Sequence, residues 1–271
     1  MARLGEVEGP RRYFDREGSR MPLFSILITD DGSEQLSGLV AENIRSLTAA
    51  HPGEEHLLFR EAALAEFISM HFGAEVLSAF RTLRPYSYKA DLAKYCLLHE
   101  QGGLYADLSY FFLRGVPRGD GKLSIFRDFL TSTPWDTSIG VVAAPPRHQA
   151  LAKAIELVCA NVKREYYGPT ALCPTGPTLF GKAVALTCEP EDLIVGEAVR
   201  SMPPASAPQF STDFSHYLSH DGEPVAIKRK RGGKPISQLG IGGGNRYNRL
   251  WRSREVYRDR PLWARIFRWR I

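Results

Sequence analysis

Asp91 and Lys94 are followed by the pair Gly102-Gly103 and then by Asp107 and Ser109. A carboxylate and an ammonium at i and i+3 are neighbours on a helix surface. An acid set among large apolar residues, as Asp107 is, is costly to bury unless a cation or hydrogen-bond donors meet it. The elements that must position these groups follow from periodicity. Leu92, Tyr95, Cys96 and His99 recur at i, i+3, i+4 and i+7, which predicts a helix with one stripe toward a core and Asp91 and Lys94 beside it. Gly102 and Gly103 stop that helix, because glycine takes the left-handed cap that other residues resist. A strand then follows, with Leu104, Ala106, Leu108 and Tyr110 on one face and Tyr105, Asp107, Ser109 and Phe111 on the other. Asp107 and Ser109 are therefore expected to point the same way.

The run KADLAKYCLLHEQGGLYADLS, residues 89 to 109, resembles the sugar-binding region of DXD glycosyltransferases. That group includes yeast initiating mannosyltransferases, bacterial capsular and lipopolysaccharide transferases and glucosylating clostridial toxins. The resemblance implies that Asp91 and Lys94 contact the donor sugar and that Asp107 is the first acid of the Asp-x-Asp. It implies a divalent cation, Mn2+ or Mg2+, holding the diphosphate of a nucleotide sugar. Lys94 stands where the family more often has Arg, and Ser109 where the second acid belongs. A hydroxyl is a weaker ligand for a hard cation than a carboxylate. ENIRSLTAAHPGEEHLLF, residues 42 to 59, is similar to the family's stretch between first and second strands. Members commonly carry a Trp after the first strand, whereas this chain reads ILITDD there. The fold implied is α/β, a GT-A-like single Rossmann-type domain with a mixed, mostly parallel sheet. The family retains anomeric configuration.

The remaining chain agrees with an α/β sheet. LFSILIT at 23 to 29 predicts a buried strand ending at Asp30-Asp31, either a ligand edge or a solvated turn. A helix marked by Leu36 to Leu47, the strand HLLF at 56 to 59 and two helices split at Gly73 follow. LSIF at 123 to 126 and SIGVVAAP at 138 to 145 predict strands, and 148 to 166 a helix. Thr175-Gly176, before another helix, resemble the family's TGP stretch on the acceptor side. FSHYL and PVAIK predict a hairpin in which His216 is either a metal or phosphate ligand or structural. KRKRGGKPISQLGIGGGNRYNRLW, residues 228 to 251, combines basic residues with a glycine loop. Backbone N–H groups and cations of this kind can receive a diphosphate, and Lys230, Asn245 and Arg246 are the candidates. The loop resembles the C-terminal loop with which the family closes the donor site, and it also fits a solvated basic loop. It matches neither a dinucleotide fingerprint nor a P-loop.

At 271 residues and 44% hydrophobic content, the chain suits one compact domain with small additions. Three parts are expected: a mobile lead-in over 1–20, the transferase domain over 21–250 and a basic aromatic tail over 251–271. The tail mixes arginines with Trp251, Trp263 and Trp269, a composition that fits an anionic membrane surface. It equally fits a helix packing its tryptophans on the domain. Nucleic acid is not an expected partner, because the basic residues form no recognised module. No run approaches the length of a membrane span, and the first twenty residues lack the apolar region of a secretory signal. The four cysteines show no metal or redox spacing and read as reduced thiols. A cytoplasmic chain, peripheral on the inner face of the membrane, is expected. The function expected is transfer of a hexose from a UDP- or GDP-sugar to a cell-surface or lipid-linked glycan. The alternative is a degenerate relative that binds sugar nucleotide or glycan without turnover.

Overall fold

The computed structural model describes residues 5–6, 21–30, 36–128, 133–199, 215–229 and 236–258. Among these, ten strands join in one sheet. Its first half holds β1 (Gly5–Glu6), β3 (His56–Phe59), β2 (Leu23–Ile26) and β4 (Gly103–Ala106), in that spatial order and all parallel. The second half continues through β7 (Thr137–Ala144), β6 (Leu123–Asp128), β8 (Leu193–Val199), β9 (Ser215–Leu218), β10 (Pro224–Lys228) and β5 (Tyr110–Phe112). There only β6 and β8 pair in parallel, and the other neighbours are antiparallel. The parallel strands LFSI, HLLF and GLYA are buried along their whole length, as strands covered on both faces must be.

Helices cover the sheet. α1 (Gly38–Ala50) starts at Ser37, whose side chain accepts the Val40 N–H at 3.2 Å, a standard N-cap. α2 (Glu61–His71) and α3 (Ala74–Thr82) are separated at Gly73. α4 (Tyr86–Gln101) begins after Pro85 and ends at Gly102, whose φ of 64° supplies the left-handed cap. α4 buries more than the single stripe expected. It lies between the sheet and α5 (Gln149–Lys163), so Lys89, Asp91 and Lys94 are buried along with its apolar residues. α6 (Pro177–Thr187) and the short α7 (Tyr247–Arg252) complete the helical layer. The core on the α4 side gathers Phe24, Leu92, Tyr95, Leu151 and Phe180, and the opposite face gathers Leu104, Tyr110, Phe126 and Tyr217.

The continuous strand expected through residue 111 is not what forms. β4 stops at Ala106, Asp107-Leu108-Ser109 make a turn, and the chain resumes as β5 at the far edge of the sheet beside β10. The alternation that set Asp107 and Ser109 on one face therefore does not apply. Gly5–Glu6 pair with β3 inside the lead-in. After residue 250, Trp251 donates its indole N–H to the Tyr167 carbonyl at 2.8 Å, Val256 and Tyr257 are buried, and Tyr257 bridges to Leu83. Trp263 and Trp269 lie outside the described residues. No helix among the described residues is long and apolar enough to cross a membrane.

Candidate functional site

Parallel strands β2 and β4 end on the same edge of the sheet, where ligands of open α/β sheets bind. Asp107 directly follows β4. Asp30 lies just past β2 and accepts a hydrogen bond from the Tyr86 hydroxyl, which brings the first turn of α4 over this edge. Two turns further along α4 stand Asp91 and Lys94.

Lys94 joins the two acids. Its Nζ is 3.3 Å from Asp91 Oδ1 and 3.5 Å from Asp107 Oδ1, and it donates to the Ile139 carbonyl at 3.1 Å. It also lies 4.4 Å from the centroid of the Tyr105 ring, a cation–π distance. The Tyr105 hydroxyl donates to Asp107 Oδ1 at 2.7 Å. On the inner side the Thr175 hydroxyl donates to Asp91 Oδ2 at 2.8 Å, and the Tyr95 hydroxyl fixes Thr175 through its carbonyl. Side-chain exposure rises outward: 3% for Lys94, 10% for Asp91 and 36% for Asp107. Burial pushes the Asp91 carboxyl pKa above the usual range, while Lys94 and the Thr175 hydroxyl pull it back. The arrangement is a buried acid held ionisable by one lysine, and a second acid presented toward solvent by the same lysine.

The turn bearing Asp107 is fixed from three sides. The Asp107 N–H donates to the Gly140 carbonyl at 2.8 Å, Asn43 Nδ2 donates to the Leu108 carbonyl at 2.8 Å, and the Arg229 N–H donates to the Ser109 carbonyl at 2.7 Å. Ser109 itself is 2% exposed. Asp107 is thus the carboxylate that this turn offers to a ligand, and no described residue bonds to its Oδ2.

The other expected residues are distributed differently. His216 is fully buried in β9, and burial lowers its pKa. Its neighbour Tyr217 bonds to the Tyr110 hydroxyl at 2.7 Å, so His216 faces the other side of the strand, and the structure does not bring it to Asp107. Asn245 uses both ends of its amide at the start of α4, accepting the Tyr86 N–H and donating to the Arg84 carbonyl, each at 2.9 Å. Nearby, Gly243 accepts the Asp30 N–H at 2.7 Å, so the glycine loop is seated on this edge of the sheet. Arg246 is exposed just before α7. Lys230 and Asp31 lie outside the described residues.

Among the described residues no three His, Cys, Asp or Glu side chains converge to hold a metal. Mg2+-type sites at nucleotides use one or two carboxylates and take further ligands from phosphate and water. Asp107 with its open Oδ2 fits that role, whereas buried Ser109 and His216 do not add to it. Sequence reading passed over Lys228. It is partly buried at the end of β10, and its Nζ lies 5.4 Å from the centroid of the Tyr110 ring. The signal available was the strand PVAIK, which ends at Lys228; its pairing with β5, remote in sequence, aligns Lys228 with the residue after the Asp107 turn.

Residues 37–123, a span that includes Asp91, Lys94, Asp107 and Ser109, match the family model for a glycosyltransferase sugar-binding region containing DXD motif. No curated protein matches the chain. Among solved structures it is similar to the PaToxG glycosyltransferase, at 14% identity and a TM-score of 0.47, over 62% of this chain and 70% of that one. It is also similar to the apo form of the WbbM bifunctional glycosyltransferase, at 10% identity and a TM-score of 0.34, over 59% of this chain and 36% of that one. Between α1 and the start of β6, therefore, the chain is similar to the glycosyltransferase sugar-binding region containing DXD motif.

Proposed function

We propose that this glycosyltransferase domain takes a hexose from a UDP- or GDP-sugar and transfers it, with retention, to a cell-surface or lipid-linked glycan in a GT-A-like site. The observation that carries the reading is Lys94 Nζ lying between Asp91 and Asp107 at 3.3 and 3.5 Å. It links the residues of the matched region into one charged cluster at the edge of a parallel sheet. Asp91 and Lys94 would take donor-sugar hydroxyls, exchanging part of their mutual contact for hydrogen bonds to the ligand. Asp107, the more exposed acid, would face the diphosphate. Mn2+ or Mg2+ on Asp107 would, when bound, supply positive charge to the departing diphosphate. The loop that Asp30 and Asn245 hold in place would cover the donor. No side-chain nucleophile is assigned. The tail, with its arginines and tryptophans, would bring the enzyme to an anionic membrane carrying the acceptor, on the cytoplasmic side.

A second reading rests on Ser109, which replaces an acid and is buried in its turn: a domain that binds sugar nucleotide or glycan without turnover. A thermal-shift panel of UDP- and GDP-sugars, with and without Mn2+, separates the two when paired with a donor-hydrolysis assay. One donor that stabilises the protein and is also consumed supports the transferase. Stabilisation without consumption supports the second reading, and silence across the panel overturns both.

A further inference from the structure

The cations packed near the Asp107 turn are mostly committed to acids. Lys94 meets Asp91 and Asp107, Lys89 meets Glu61, and Arg229 meets Glu42 at 2.7 Å. Lys228 differs, because among the described residues no carboxylate oxygen stands within ion-pair distance of its Nζ. Backbone pairing sets its position. Lys228 is in register with Tyr110, the first residue after the turn, and the next N–H, of Arg229, closes the turn at Ser109. Directly opposed residues share a face, so Lys228 and Tyr110 lie together, with the Tyr110, Tyr217 and Ser138 hydroxyls chained at 2.7 Å behind them. That wall offers hydroxyls and an aromatic face but no counter-ion. A partly buried ammonium without an acid beside it is costly, and an arriving anion offsets that cost.

We propose that Lys228 Nζ is a protein ligand of the donor's diphosphate, and that it receives this anion without a metal. The proposal rests on the transferase reading for the identity of the anion, and on the geometry for the residue. A compact ammonium suits phosphoryl oxygens as a point charge. The Tyr110 ring holds it in place before the anion arrives. Burial favours the neutral amine, yet the carboxylates of Asp107 and Asp128, beyond ion-pair distance, help to hold its pKa above the ordinary lysine value, so it meets an anion charged. Tyr247, on α7, feels the charges of both Lys228 and Asp91, which places α7 across the same cluster. With Ser109 in place of an acid, the turn presents a single carboxylate to the incoming anion and repels it less.

The test is calorimetric titration of inorganic pyrophosphate, in EDTA, into the full chain and its Lys228→Met, Lys228→Gln and Lys228→Arg variants, each first shown to melt like the parent. The parent should bind, the uncharged variants should lose at least about tenfold in affinity, and the arginine variant should stay within about threefold. Equal affinity in the parent and a folded uncharged variant overturns the proposal. So does a parent that takes up pyrophosphate only with Mn2+, an arm that needs no variant to fold. Failure of the transferase reading looks different: no UDP- or GDP-sugar is bound or consumed, while Lys228-dependent pyrophosphate binding persists.

Discussion

Replacing Lys94 with Met removes the one cation that both site acids share. Asp91 is the partner that suffers, because it is buried and, among the described residues, keeps only the Thr175 hydroxyl as a donor. Breaking a buried ion pair by deleting one member costs about 3–5 kcal/mol. Protonation sets a ceiling: neutralising a carboxyl of ordinary pKa near 4 at pH 7 costs about 4 kcal/mol, and at pH 5 about 1.5 kcal/mol. The Asp107 contact adds less than about 1 kcal/mol, since that side chain is 36% exposed and screened by solvent. The sign follows from the direction of the Asp91 shift. Its folded pKa is already raised by burial, and losing Lys94 raises it further. A carboxyl raised in the folded state favours folding below its unfolded pKa, near 4, and that contribution is lost as pH rises through the folded pKa. The stability gap between parent and Lys94→Met should therefore be small at pH 5 and widen toward pH 7, to at most about 4 kcal/mol. Urea unfolding of both proteins at the two pH values measures it. A gap below about 1 kcal/mol at pH 7, or one equal at both pH values, would show that Lys94 does not hold Asp91 ionised.

Asp107→Asn should keep the fold and remove the Mn2+-dependent part of donor binding, measured by titrating Mn2+ with donor present; unchanged Mn2+ dependence would make Asp107 a structural acid. Ser109→Asp puts a carboxylate into a buried turn, so it should destabilise by about 2 kcal/mol or more in EDTA and recover part of that with Mn2+, which melting curves in each condition resolve. Gly140→Ala would bring a Cβ to 2.3 Å from the buried Tyr110 hydroxyl beside the Asp107 turn, so a loss of about 1–3 kcal/mol is expected in urea unfolding. Deleting 261–271 should leave the melt unchanged while releasing the chain from anionic vesicles, an attachment that salt weakens. Deleting 251–271 should instead unfold it, because buried Val256 and Tyr257 go with it.

Helix α4 and its glycine stop could be read from residues 86–103 alone because periodicity and a left-handed cap agree locally. Strands β2, β3 and β4 were readable for the same reason, as short runs between turn residues. The break after Ala106 was not. Asp-Leu-Ser carries no glycine, proline or asparagine, and its apolar alternation continues unbroken. What bends it are bonds donated by Asn43 and Arg229 and one accepted by the Gly140 carbonyl, all remote in sequence. β8 was missed because LIVGEAV follows an acidic stretch and is only half-buried, which blurs its pattern. In the site, the Asp91–Lys94 spacing gave the pair, and the glycosyltransferase resemblance gave Asp107. Thr175 was noticed without its partner, and Lys228 was hidden in a basic run that reads as a solvated loop until the pairing of β10 with β5 sets its register.

The bonds that clamp the Asp107 turn also set a schedule for synthesis. Asn43 and Asp107 are made early, but the clamp on Ser109 comes from the backbone of Arg229, and β5 finds its neighbour only in β10. Contacts this distant in sequence form late, since the loop between them must close first. A nascent chain that has emerged only through β8 can already fold its parallel strands and α4, yet its turn lacks one of its three anchors. The polypeptide should therefore gain sugar-nucleotide affinity abruptly, when the hairpin clears the ribosome, and ribosome-bound chains arrested on either side of residue 229 would separate folding of the scaffold from completion of the site.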